Sequence, residues 1–311
     1  MDRLEAMSVV LEVVAAGSLS AAARRLNTPL ATVSRKVSEL ESHLRTKLFD
    51  RSSRKLVLTE AGTTYVAACK RILADLTEAE HAASGHYAAP AGDLIITAPA
   101  GLGRLHLIPI LREFLAAYPD IDIRLVLSDR LVTIGSLLSV DRLLEDHVDL
   151  ALRIGPLPSS SLVARRVGSV RHVVCASPGY LATHGTPRTP EDLAQHDCIS
   201  YDELLARELW TFVRGDGETP TQLTVRSRLI VSNQEAARDS ALAGVGITMV
   251  FSLLAAEALA AGSLVTILDE FRPPPYPVHL VYRAGQYLPT KVRAFLDFAT
   301  PRLRARLVES S

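Results

Sequence analysis

The hydrophobic pattern of this 311-residue chain changes character once, between Tyr87 and Gly92. Before that point, apolar residues recur at helical spacing; after it, short apolar runs alternate with helical ones. Residues 87–91, with Pro90 among alanines, read as a hinge. A chain built this way cannot share one core. It must fold as a helical N-terminal module followed by an α/β domain with mainly parallel sheets covered by helices.

Leu4, Met7, Val10, Leu11 and Val14 predict a first amphipathic helix, ended by Gly17. Ser18 and Ser20 are placed to cap the next, a short alanine-rich helix over 19–26. Asn27-Thr28-Pro29 forms the turn, with Pro29 suited to the first position of a third helix running to Leu44. Val33, Val37, Leu40 and Leu44 mark its buried face; Thr32, Ser34, Arg35, Lys36 and Ser38 mark the other. Hydroxyls bond phosphates or base edges, and arginine forks onto guanine, so that face suits a major groove. Two short apolar strands, in Leu48-Phe49-Asp50-Arg51 and Leu56-Val57-Leu58, lie around a polar, basic tip, the layout of a wing whose Arg51 and Arg54 would reach the DNA backbone or minor groove. A generic three-helix bundle with a hairpin is the alternative, but it does not account for the turn and the basic wing together.

Charge supports the nucleic-acid reading only locally. The whole chain is neutral, with 34 basic and 34 acidic residues. Between Met1 and Leu58 there are ten Arg/Lys and six Asp/Glu, and seven of the ten lie between Arg35 and Lys55.

Thr59 suits the N-cap of a long helix over 60–86. Tyr65, Cys69, Ile72, Leu76, Ala79 and Ala83 follow a heptad period, a seam for pairing with another helix; docking on its own module is the alternative. The C-terminal part predicts strands at 94–98, 121–127, 148–154, 172–176, 223–231, 247–250, 264–268 and 278–282. Helices are expected at 105–118, 233–243, 252–261 and 290–300.

The N-terminal motifs closely resemble those of LysR-type transcriptional regulators. They are Gly17-Ser18-Leu19-Ser20-Ala21-Ala22-Ala23-Arg24-Arg25-Leu26-Asn27, Thr32-Val33-Ser34-Arg35-Lys36-Val37 with Glu39-Leu40-Glu41, and Lys47-Leu48-Phe49-Asp50-Arg51 with Leu58-Thr59-Glu60-Ala61-Gly62. Pro119-Asp120-Ile121, Asp149–Gly155 and Ala243–Ile247 extend the resemblance into the second domain. Leu30 stands where many members carry a polar residue, and leucine there suits a thymine methyl. Leu131 to Arg142 is longer than in close relatives.

The resemblance implies a winged helix-turn-helix (1–58), a linker and dimerisation helix (59–86) and an effector-binding domain (92–303). That domain would have two lobes like those of periplasmic binding proteins: lobe I over 92–158 and 269–303, lobe II over 159–268. The partners it implies are double-stranded DNA, a small-molecule effector such as an organic acid or aromatic compound, further copies of the chain as a dimer or tetramer, and RNA polymerase. It implies no cofactor, no metal and no membrane. DNA contacts would come from Ser20, Pro29, Leu30, Thr32, Ser34, Arg35, Lys36, Arg51 and Arg54.

In such a fold the ligand lies beyond the carboxyl ends of the strands, where the chain crosses between lobes. Candidate contacts are the helix start at Ala100, Gly101 and Leu102, whose free N–H groups suit a carboxylate, and Arg153 as its counter-charge. Tyr201, Asn233, Gln234 and Phe251 complete the set. For Arg153 a structural ion pair, and for these last four packing or capping, are equal alternatives.

Rival functions lack support in the residues. Gly101-Leu102-Gly103 is a fragment of a dinucleotide fingerprint without its third glycine, and His184, His196 and Cys198 lack metal-ligand spacing. No nucleophile elbow is present, which argues against a hydrolase. A transport-type binding protein would need a leader, and the N-terminus does not read as one. Three widely spaced cysteines, Cys69, Cys175 and Cys198, fit a reducing compartment, and the expectation is a cytoplasmic protein.

Overall fold

The computed structural model describes residues 2–50, 56–83, 89–129, 148–157, 162–201, 209–214, 219–272, 275–283 and 288–308. It divides into two compact units, Met1–Ala89 and Pro90–Ser311.

In the first unit, α1 (Arg3–Ala16) is capped by Asp2, whose carboxylate accepts from the Leu4 and Glu5 amides, and is ended by Gly17 at φ 71°. Its buried face is Ala6, Val9, Val10 and Val13. That corrects the predicted stripe: Leu4 is exposed, and Leu11 and Val14 only flank the core. The helix is apolar nearly all round, so spacing alone did not fix its rotation. α2 (Leu19–Arg25) takes its cap from Ser18, which accepts from the Ala21 amide at 3.1 Å, while Ser20 is left exposed. Buried Ala22 and Ala23 let α1 and α3 approach closely.

α3 (Leu30–Leu44) buries Val33, Val37 and Leu40 as expected, and Glu41 with them. Pro29 sits at its N-cap, one residue before the first helical position. The wing strands β1 (Phe49–Asp50) and β2 (Val57–Leu58) pair antiparallel, Phe49 with Leu58 and Asp50 with Val57. α4 (Glu60–Ala83) begins at the Thr59 cap, whose hydroxyl accepts from the Gly62 amide at 2.9 Å.

α4 also corrects the seam. Cys69 is fully buried and Tyr65 packs on the core of its own module, because the first half of α4 lies along α1. Cys69 is therefore unavailable to a partner helix, and Tyr65 is only half-open to one. Ile72 is exposed and Leu76 half-buried, so a seam is left only further along the helix.

The second unit holds two five-stranded sheets. The first runs β4-β3-β5-β14-β6, from β3 (Gly92–Ala98), β4 (Ile121–Leu127), β5 (Leu150–Ile154), β6 (Leu162–Val170) and β14 (Tyr276–Arg283). The second runs β11-β8-β12-β7-β13, from β7 (His172–Ala176), β8 (Cys198–Tyr201), β11 (Ser227–Val231), β12 (Ile247–Phe251) and β13 (Val265–Ile267). A separate hairpin pairs β9 (Leu209–Phe212) with β10 (Thr221–Thr224). The predicted strand 223–231 is thus two strands in different sheets. β6 pairs along its length with β14, so the first sheet extends to Val170 and the lobe boundary at residue 158 is too early.

One face of the first sheet, with Leu94, Ile96, Leu150, Leu152 and Leu280, is covered by α6 (Ile108–Ala117) and α10 (Thr290–Val308). There the Phe114 ring meets those of Phe295 and Phe298 edge-on at 5.2 and 5.3 Å. The chain enters α6 through α5 (Ala100–Leu102) and a π-helical segment, Gly103–Leu107. In the second sheet, α8 (Gln234–Leu242) and α9 (Ser252–Ala260) cover one face, and α7 (Pro178–His184) packs on the other through Tyr180. No single described helix is long and apolar enough to cross a membrane.

Candidate DNA-binding and effector sites

In the first unit, the exposed arc of α3 centres on Arg35, opposite the buried line of Val33, Val37 and Leu40. The Arg35 side chain is 65% exposed and reaches Glu39 one turn on at 3.1 Å. Pro29, Leu30 and Ala31 at the helix start are exposed, Leu30 by 49%. Thr32 and Ser34 are half-buried beside this arc. Lys36 departs from expectation: only 19% of its side chain is exposed, and it pairs with Glu5 of α1. A rotation of 100° per residue carries it off the open face onto the α1 side. Arg51 and Arg54 lie outside the described residues.

Glu41 belongs to the quoted motif, but motif reading assigned it no role. It is 2% exposed, and its carboxylate accepts from the Leu48 amide at 2.9 Å, the Phe49 amide at 3.3 Å and Lys47 Nζ at 3.0 Å. Burial pushes its carboxyl pKa up, but these hydrogen bonds and the Lys47 charge outweigh that and leave it below the ordinary value. The signal was present, since Glu41 lies four residues after Val37 and three before Leu44, inside the buried arc.

In the second unit the carboxyl ends of β8, β11 and β12 bring Tyr201, Asn233, Gln234 and Phe251 to one edge of their sheet. Two of these act as caps. Asn233 accepts from the Ala236 amide at 2.8 Å, starting α8, and buried Gln234 accepts from the Phe251 amide at 2.8 Å, tying α8 to β12. Phe251 stacks on His172 with ring centroids 4.1 Å apart, and Tyr276 meets both rings edge-on. The Tyr201 hydroxyl lies 3.2 Å from His172 Nε2. Burial drives the His172 pKa down to about 3, so its ring is neutral. His172 and Tyr276, unforeseen from the sequence, open β7 and β14 directly after the chain has crossed between sheets.

The helix-start carboxylate site is corrected. The Ala100 amide already donates to the Asp129 carboxylate at 2.8 Å, so the chain supplies its own anion there. Gly101 and Leu102 are buried, and a Cβ on Gly101 would stand 2.5 Å from Leu254 Cδ2. Arg153 is 2% exposed within β5, beside His279 of β14, and burial lowers its pKa to about 10. It does not line an open cleft.

Residues 4–63 match the family described as bacterial regulatory helix-turn-helix protein, lysR family, and residues 88–304 match the LysR substrate binding domain. The chain belongs to the LysR family of transcriptional regulators. It is a DNA-binding regulator with a two-lobed, periplasmic-binding-protein-like effector-binding domain.

Similar proteins to this LysR-type regulator span its whole length. An uncharacterized HTH-type transcriptional regulator of Haemophilus influenzae is 34% identical, covering 94% of this chain and 98% of its own. CrgA, a LysR-type transcriptional regulator from Neisseria meningitidis, is 33% identical with a TM-score of 0.60 over 96% of this chain and 98% of its own. Full-length AphB, the Vibrio cholerae virulence activator, is 30% identical with a TM-score of 0.59 over 95% and 98%.

Proposed function

We propose that this regulator reads an operator through α3 and its wing, as a dimer or tetramer, and is controlled by a small molecule held between its two sheets. Arg35 is the base-reading residue, with Leu30 against a thymine methyl and Thr32, Ser34, Ser20 and the Pro29 turn along the backbone. Arg51 and Arg54 at the wing tip grip phosphate or the minor groove. The observation that carries this reading is the exposed, Arg35-centred face of α3 beside the β1–β2 wing.

On the effector side, Tyr201, Phe251, His172 and Tyr276 offer rings and two hydroxyls, which suits an aromatic compound or an aromatic acid. Effector binding changes the angle between the sheets, shifts the population of quaternary states and so alters the bend of bound DNA, with RNA polymerase as the downstream partner. The protein acts without catalysis, in the compartment that holds the DNA, the bacterial cytoplasm.

The test is binding to the DNA just upstream of the protein's own gene, across a salt series with scrambled competitor. Tight binding that survives competitor and weakens steeply with salt is the expected result. Absence of DNA affinity even at low salt would overturn the reading.

A further inference from the structure

The described part of the wing is short. Its described ladder is two residue pairs, Phe49–Leu58 and Asp50–Val57, and a ribbon that short is marginal alone. Its position comes from contacts outside that ladder: Phe49, Leu56 and Leu58 pack on the core of the module, and the root, residues 47–49, is held by hydrogen bonds. Two elements grip that root. From α4, the Thr59 hydroxyl donates to Lys47 O at 2.7 Å and the Thr59 amide to Leu48 O at 3.0 Å. Gly62 closes over the same carbonyl so tightly that a Cβ would stand 2.0 Å from Leu48 O. From α3, Glu41 takes the Leu48 and Phe49 amides and the Lys47 ammonium on one buried carboxylate.

Glu41 and Arg35 point about 120° apart around the same helix, less than two turns from each other. One helix therefore carries both the open reading face and the anchor of the wing. An ionised carboxylate tolerates such burial only when it is fully bonded. Losing it would leave two amides at the wing root without their acceptor.

We propose that Glu41 is a positioning residue that fixes the wing relative to α3, so that helix and wing meet DNA as one rigid body. The inference rests on the wing touching DNA, as proposed above. Glu41 itself need not approach the duplex; it acts through the Leu48 and Phe49 amides.

The test is a set of double-mutant cycles on the full chain, with a duplex selected by the wild-type protein from a random-sequence pool. In the wild type, the Arg51→Ala/Arg54→Ala double variant is expected to weaken binding and lower the log–log salt slope by about 2. In Glu41→Ala the same double change is expected to cost less than about half the wild-type factor, because one of the two holds on the wing root is gone. Arg35→Ala is expected to cost the same factor in both backgrounds. Glu41→Gln keeps an acceptor oxygen but loses the charge, so it guards against misfolding and is expected to lose part of the coupling. If the wing substitutions cost the wild-type factor in Glu41→Gln and in any folded Glu41→Ala, Glu41 does not position the wing and the inference is overturned. If they cost nothing even in the wild type, the wing reading itself fails and takes the inference with it.

Discussion

Arg35→Ala separates a base reader from a surface charge. In the free protein the side chain is 65% exposed and makes one i,i+4 ion pair with the half-open Glu39, an arrangement worth only about 0.3–0.5 kcal/mol. Removing it should leave the fold intact, since α3 is held by Val33, Val37 and Leu40 on its far side. On the duplex the loss is larger. A bidentate contact to guanine contributes about 1–3 kcal/mol of discrimination. Such a loss amounts to about 5- to 150-fold in affinity. The effect should fall on the preferred sequence, with binding to scrambled DNA and the salt slope changing by no more than one phosphate contact. Glu39→Gln frees Arg35 from its competitor and is expected to strengthen binding by about twofold at most, in line with a pair worth about 0.5 kcal/mol. The assay is equilibrium competition between the selected duplex, its single-base-pair variants and a scrambled control. Equal losses on selected and scrambled DNA would reassign Arg35 to the phosphates. An unchanged affinity would remove it from the site.

Two further outcomes are expected. Leu76→Glu places a charge on the part of α4 that remains free of its own module, and sedimentation should show a smaller assembly than the wild type; an unchanged assembly would rule out pairing through this stretch. Glu41 contributes stability that is present above the unfolded carboxyl pKa of about 4.3 and is lost as pH falls through its lower folded value. Hydrogen exchange at the Leu48 and Phe49 amides should therefore show wild-type protection exceeding that of Glu41→Gln at neutral pH, with the gap closing in acid; a gap independent of pH would refute a charged Glu41.

Much of the architecture was legible because its signals are local. Strand β4 alternates as far as Leu125, and β7 and β12 are apolar runs at the predicted places. What was missed depends on tertiary partners. β6 carries Arg165, Arg166, Gly168 and Ser169 because it is the edge of its sheet, and such a strand has no apolar signature. The break at Val225 and Arg226 separates strands that serve different sheets, which no residue-level pattern announces. The exposed face of α3 followed from helical periodicity, apart from Lys36, whose length lets it reach Glu5. The effector candidates fared worse. The Ala100 amide, Asn233 and Gln234 satisfy neighbouring groups, and only contacts between distant strands reveal that His172 and Tyr276 join Tyr201 and Phe251.

The extension of the first sheet to Val170 also affects motion. β6 ends at Val170 and β7 begins at His172, so a single residue, Arg171, separates strands of two different sheets. Along this path the sheets are joined as one ribbon with a one-residue joint, offering only two soft dihedrals. Arg171 is itself pinned, its carbonyl accepting from the Ser252 amide at 2.8 Å. His172, the next residue, is the register partner of Phe251 in the second sheet, so rotation at this joint carries the stacked pair as one body past Tyr276 of the first sheet. The ring contact that follows the angle between the sheets is therefore the edge of Tyr276 against that stack.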